Sequence, residues 1–146
     1  MFKYLFFLFI PISVFAQENI PKKSNTIEVI GVTFKQVANT LLDFGYSFDK
    51  IDSNYQTIKT DFKEGTGKNN WMKLRIIVRV KDTVASFTGE YYNTIFMGST
   101  LGGVRQSTID NSVEKIEYRS VNPKNCFLEM NKVAVSFKKK TTYLIN

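Results

Sequence analysis

Residues 72–91, MKLRIIVRVKDTVASFTGEY, decide the fold. Met72, Leu74, Ile76, Val78 and Val80 alternate with Lys73, Arg75, Ile77, Arg79 and Lys81. That period of two predicts a strand with one face on a core and the other in water. Asp82-Thr83 predicts a tight turn that folds Val84 to Tyr91 back as the partner strand. In this register Val80 faces Ala85, Val78 faces Phe87, Leu74 faces Tyr91, and Arg75 lies opposite Glu90. Apolar residues meet on one side and opposite charges on the other, so the two strands predict the same pairing independently.

Upstream, Ile27, Val29 and Val32 form a short strand pattern. Thr33 then stands as an N-cap before Phe34, Val37, Ala38, Leu41 and Leu42, a spacing of i, i+3, i+4, i+7 and i+8 that predicts a helix stopped by Gly45. Tyr46, Phe48 and Ile51 predict a strand, Asp52-Ser53-Asn54 a turn, and Gln56, Ile58, Thr60 and Phe62 a second strand. A polar, glycine-bearing loop from Glu64 to Asn70 leads into the central hairpin.

Downstream, Tyr92 to Ser112 has no clean period. It predicts an irregular strand pair in preference to a mobile binding loop, because 21 residues without structure are rare in a small domain. Val113, Ile116 and Tyr118 predict a further strand. Asn122-Pro123-Lys124-Asn125 punctuates the chain ahead of a second helix, with Phe127, Met130, Val133, Ala134 and Phe137 on its apolar side. Lys138 to Lys140 fall at its C-terminal end, where cations suit the helix dipole, and Thr141 to Ile145 predict a last strand. Single apolar stripes on helices and single apolar faces on strands predict an α+β fold: a two-layer sandwich, an antiparallel sheet with two helices on one face.

The chain opens on MFKYLFFLFIPISVFAQ. Lys3, a short apolar run interrupted at Pro11, and Val14-Phe15-Ala16 predict a signal peptide over residues 1–16, cleaved before Gln17. Residues 17–25 read as a flexible lead-in and 26–146 as one α+β domain. The run is too short to span a bilayer, no second apolar segment follows, and no lipobox cysteine is present, so a periplasmic or secreted protein without a transmembrane segment is expected.

Hydrophobic residues make up 43% of the chain and charged residues 23%, which suits a folded domain and not a disordered tail. With no histidine and one cysteine, Ser-His-Asp and Cys-His nucleophilic machinery, His-ligated zinc and an internal disulfide are excluded. Cys126 reads as a small buried hydrophobe. The sequence EGTGKN at residues 64–69 lacks the first glycine and the Ser/Thr of a phosphate-binding loop and precedes a strand, so it reads as a hairpin loop. Asp43, Asp49, Asp52 and Asp61 are scattered over a helix end, a strand and turns. No catalytic residue, cofactor or metal is therefore expected.

Loss of Lys3 leaves the mature chain one unit below the formal +7 of the whole sequence. For an exported protein this excess points to anionic lipid head groups or acidic envelope partners and away from nucleic acid. Alternation directs Trp71, Lys73, Arg75, Ile77, Arg79 and Lys81 to the open face of the sheet, joined by Tyr55, Lys59 and Lys63, with Asp61 and Glu90 as the acidic members. Trp71, Lys73, Arg75, Arg79 and Lys81 are thus candidate binding residues, set against the plainer reading of a solvated strand face. Phe96 and Met97, in the aperiodic segment, are a second candidate.

The runs FKQVANTLLDFGYSFDKIDSNYQTIKTDFK, NNWMKLRIIVRVKDTVASFTGEYY and FLEMNKVAVSFKKKTTYLI resemble small exported proteins of Bacteroidetes. Their element order is similar to domains of the outer-membrane assembly lipoprotein BamC and to other TATA-binding-protein-like or helix-grip folds. The resemblance implies a fold and a compartment and carries no catalytic residue onto this chain. The expectation is an exported, non-catalytic binding or envelope-assembly domain that docks an envelope protein or anionic surface on its basic sheet face. Two alternatives are a helix-grip protein binding a lipid-like small molecule between sheet and second helix, and an enzyme with a concealed carboxylate or tyrosine site. Ligand identity and oligomeric state are left open.

Overall fold

Strands with one apolar side need a cover, and helices with one apolar stripe supply it. A computed structural model describes residues 19–66, 72–101 and 104–146. The chain runs β1 (Thr26–Ile30), α1 (Phe34–Asp43), β2 (Phe48–Asp52), β3 (Thr57–Thr60), β4 (Lys63–Glu64), β5 (Lys73–Lys81), β6 (Val84–Leu101), β7 (Val104–Lys115), α2 (Val121–Ser136) and β8 (Thr141–Leu144). The strands form one antiparallel sheet in the order β2-β3-β5-β6-β1-β8, with β4 continuing along β5 and β7 along β6. Both helices lie on one face, giving the two-layer α+β sandwich. Val37 and Leu41 of α1 and Phe127, Met130 and Val133 of α2 are buried with Ile27, Ile58, Leu74, Ile76, Val78 and Phe87 of the sheet. None of the described helices is long and apolar enough to cross a membrane.

The central hairpin has the register that alternation predicts: Leu74, Arg75, Val78 and Val80 pair with Tyr91, Glu90, Phe87 and Ala85. Asp82 (φ 50°) and Thr83 (φ 64°) are both left-handed, the conformation that lets a two-residue turn follow the sheet's twist. The Thr33 side chain accepts from the Gln36 N–H (3.3 Å), and the Gln36 side chain accepts from the Thr33 N–H (2.8 Å). This reciprocal cap starts α1, and Gly45 (φ 74°) ends it.

Three expectations are corrected. First, Gln56 to Phe62 is not one strand. Lys59 pairs with Ile77, but Lys63 pairs with Leu74, so one extra residue lies between β3 and β4. A single insertion reverses which face every later residue occupies. Phe62 therefore reaches the open face. Lys63 turns to the helix side, where its ammonium donates to the Phe44 carbonyl and sits 4.7 Å from the Tyr46 ring centroid. The Thr60 hydroxyl accepts from the Ile76 N–H (2.9 Å), satisfying the donor that the break frees.

Second, α2 begins at Val121, so Asn122 to Asn125 form its first turn instead of preceding it. Proline is at home there, since the first-turn N–H groups have no partner within the helix. The helix is capped at Phe137 and Lys138 is left-handed (φ 52°), so Lys138–Lys140 lie beyond the helix end, in the link to β8. Third, the strand pair expected over Tyr92 to Ser112 is present, but it is regular. Its β6–β7 register runs without a shift from Glu90↔Lys115 to Leu101↔Val104. β5 accompanies β6 only as far as Leu74↔Tyr91, so the remainder is a two-stranded ribbon reaching roughly 30 Å past the sheet at 3.3 Å per residue.

Candidate binding surface

The open face of the sheet carries the candidate cations, and the register decides which of them are free. Arg75 is not. Its Nε donates to Glu90 Oε2 at 2.7 Å, a terminal guanidinium nitrogen donates to the same oxygen, and its Cζ lies 4.5 Å from the Phe62 ring centroid. Phe62 in turn stacks on Tyr92 with centroids 4.3 Å apart. Carboxylate and aromatic partners thus hold the guanidinium in place, and Arg75 serves as a brace across β4, β5 and β6. Lys59 pairs with Asp49 at 3.5 Å. Lys73 lies in register with Glu64. The open face also bears Glu28, beside Ser86, and Asp52, beside Thr57. It is therefore more mixed in charge than a strand-by-strand reading predicts, because acidic residues from β1, β2 and β4 enter it.

Positive charge concentrates instead at the end of the face where the β5–β6 turn lies. Lys81 pairs with Val84, and Val84 with Ile30. The Ile30 N–H donates to the Lys140 carbonyl at 3.0 Å. Lys81, Val84, Ile30 and Lys140 thus form one row across three strands and the link that enters β8, about 14 Å wide at 4.8 Å per strand. The N–H groups of Gly31 and Val32 both donate to the Thr83 carbonyl (2.8 and 3.1 Å). They tie the loop that enters α1, and with it Lys35, to the same corner. Lys35, Arg79, Lys81, Lys138, Lys139 and Lys140 are all exposed, and none forms an ion pair among the described residues. Asp82 is the acidic residue among them. Ile30, at 41% exposure, is an apolar group in the middle of the cationic row.

Of the sequence-derived candidates, Arg79 and Lys81 belong to this corner. Lys73 lies at the far end of β5, Arg75 is braced, and Trp71 lies outside the described residues. Phe96 and Met97 fall on the ribbon, in register with Ile109 and Thr108. Sequence reasoning missed Lys138–Lys140 and Ile30. The triple lysine was visible, but nothing local links residue 140 to residue 30.

A cavity of about 260 Å³ also opens on this face, where β1 and β7 approach β6 from opposite ends. Thr26, Ile77, Thr88, Glu90 and Lys115 contribute to its lining.

On the helix side, Tyr46, Cys126 and Glu129 cluster beneath Thr66 and Lys132. Glu129 accepts from Thr66 Oγ1 (2.9 Å) and from Lys132 Nζ (2.8 Å), so its carboxylate fastens the segment after β4 to α2. Burial, and secondarily the Glu129 charge, pushes the Tyr46 hydroxyl well above its ordinary range. The same two causes push the Cys126 thiol up to about 12. Both stay protonated at neutral pH, whereas a nucleophilic cysteine needs its thiolate. Among the described residues, no group of three or more Cys, Asp or Glu side chains is placed to hold a metal ion. No model of a known protein family matches the chain, and no curated protein sequence does.

Proposed function

We propose that this chain is an exported, non-catalytic binding domain of the cell envelope that docks an anionic surface or envelope partner on the cationic corner of its sheet. The row Lys81–Val84–Ile30–Lys140 carries the reading, with Arg79, Lys138 and Lys139 beside it. Unpaired cations at the end of β5 and on the link to β8 add their fields at one corner, and an exposed isoleucine among them supplies apolar contact. Nucleic acid is not the partner expected of an exported chain.

Two observations favour this reading over its rivals. The space between sheet and α2, where a helix-grip ligand would lie, is filled: Phe127 meets Tyr118 and Tyr143 at ring-centroid distances of 5.5 and 6.2 Å, and Phe87 meets Phe137 at 6.1 Å. The buried tyrosine and cysteine are held neutral, and the carboxylate beside them is occupied in fastening α2.

Cosedimentation with phosphatidylglycerol vesicles tests the proposal. The parent should bind in a salt-dependent manner, and Lys81→Glu with Lys140→Glu should weaken binding more than tenfold, since each basic residue near an anionic surface contributes about 1 kcal/mol. Lys73→Glu, roughly 26 Å along β5 from Lys81, should bind as the parent does. Equal loss in both variants would mean that net charge alone is read, and undiminished binding by the double variant would overturn the assignment.

A further inference from the structure

The ribbon leaves two long strand edges without a partner among the described residues, that of β6 beyond Tyr91 and that of β7, and the sequence of β7 is matched to itself. The Ile116 N–H donates to the Gly89 carbonyl at 2.9 Å, in the same register as Glu90↔Lys115. Hydrogen-bonded pairs alternate along an antiparallel ladder, so the even-numbered residues of β7 bond to β6. The backbone groups of Arg105, Ser107, Ile109, Asn111 and Val113 are directed to the opposite edge, where no strand pairs among the described residues.

The two outer edges of the sheet, β2 and β8, are protected. β2 is five residues long, with a register break between Phe48 and Lys50 and charges at Asp49, Lys50 and Asp52. β8 is four residues long and follows Lys138–Lys140. β7 has twelve residues with no proline, glycine or bulge, and between Gln106 and Val113 only Asp110 is charged. Short length, bulges and lysines are the devices that keep strand edges from pairing. β7 lacks them over its middle.

We infer that the free edge of β7 pairs antiparallel with β7 of a second copy of this chain, about a two-fold axis at Ile109. Only odd residues can bond to odd residues across this edge. An axis at Ile109 places Ile109 opposite its own copy, Ser107 opposite Asn111, Arg105 opposite Val113, Asp110 opposite Thr108 and Glu114 opposite Val104. No like charges meet. Because Phe96 is in register with Ile109, the apolar residues Phe96–Ile109–Ile109–Phe96 share one register line across the dyad of a four-stranded sheet. Moving the axis to Asp110 would set Asp110 on Asp110 and Arg105 on Lys115. Moving it to Thr108 would set Ile109 on Ser107 and break that line. The symmetry is that of an isologous dimer, in which one patch complements itself.

Cysteine crosslinking tests both the pairing and its register. Ile109→Cys should form a disulfide-linked dimer under mild oxidation, since facing residues in a ladder lie within the 4.4–6.8 Å Cα separation that a disulfide needs. Arg105→Cys should not, because its own copy lies roughly 26 Å away. Arg105→Cys with Val113→Cys should crosslink again. In sedimentation equilibrium the parent should be dimeric at micromolar concentration, and Ile109→Lys, which sets two ammonium groups face to face, should weaken the dimer at least tenfold with the circular dichroism spectrum unchanged. A monomeric parent, a dimer that survives Ile109→Lys, or crosslinking of Arg105→Cys as fast as of Ile109→Cys would each overturn the inference.

Discussion

The two halves of β6 share one strand and live under different rules. From Val84 to Tyr91 the strand has β5 on one side, β1 or the end of β7 on the other, and helices over its inner face, so Ala85, Phe87 and Tyr91 are buried. From Tyr92 to Leu101 its one partner among the described residues is β7. The inner half is stabilised by apolar burial. The outer half rests on ladder hydrogen bonds and cross-strand pairs, which by themselves leave an isolated hairpin marginal in water. The lesson is that a strand's length is set by backbone pairing, whereas its contribution to stability is set by what lies on its faces.

The largest effect expected from breaking this contrast comes from equivalent truncations in the two halves. Phe87→Ala should lower unfolding free energy by about 3–5 kcal/mol, the range for emptying a buried aromatic site. Phe96→Ala on the ribbon should cost less than about 1 kcal/mol, the scale of one cross-strand pair. Urea midpoints of the two variants, taken under monomeric conditions, check this. Similar losses would show that the ribbon is as firmly packed as the sheet.

Next comes the place where the halves join. A Cβ on Gly89 would lie 2.5 Å from Ile116 Cδ1 and 3.0 Å from the Arg75 carbonyl oxygen. Here the side chain of Ile116, the next residue in the β6–β7 register, lies against Gly89, and the second contact is with backbone that cannot swing aside. Gly89→Ala should destabilise by about 1–3 kcal/mol, as overpacking does, and the same urea titration reads it.

The smallest effect is a pH dependence at the same junction. Tyr91 donates to Glu114 at 2.9 Å across the base of the ribbon. Burial first, and then this hydrogen bond, push its hydroxyl from 10.0 up to about 12. Between those values the unfolded chain has lost the proton and the folded chain keeps it. The contribution to stability is therefore whole below about pH 10 and declines as pH rises toward 12. Tyr91→Phe should show a shallower loss of stability between pH 10 and 12 than the parent, and parallel slopes would place the shift elsewhere.

Legibility in the sequence followed the range of the interaction. The Arg75–Glu90 pair could be read directly, because alternation through a two-residue turn fixes both partners within 16 residues. Lys63 could not, since the one-residue insertion after Thr60 depends on how β4 docks on β5. The ribbon's regularity was hidden for another reason. Tyr92 to Ser112 carries no apolar alternation, the signal by which a strand is read from sequence, although the backbones of β6 and β7 pair as evenly as those of the inner hairpin.

The sequence alone determined the periods: two along β5 and the start of β6, 3.6 along α1 and α2, the turn at Asp82-Thr83 and the cap at Thr33. These rest on backbone geometry and on burial within a few residues, which a linear pattern records. Only the tertiary structure decided that β1 inserts between β6 and β8. That insertion sets Ile30 beside Val84 and Lys140 beside Ile30, and moves the cationic surface from the middle of the sheet to its corner. It also decided that Arg75 is occupied while Arg79 and Lys81 are not. Strand order is chosen by the total apolar area the whole sheet can bury, a sum over the entire chain that no local pattern contains.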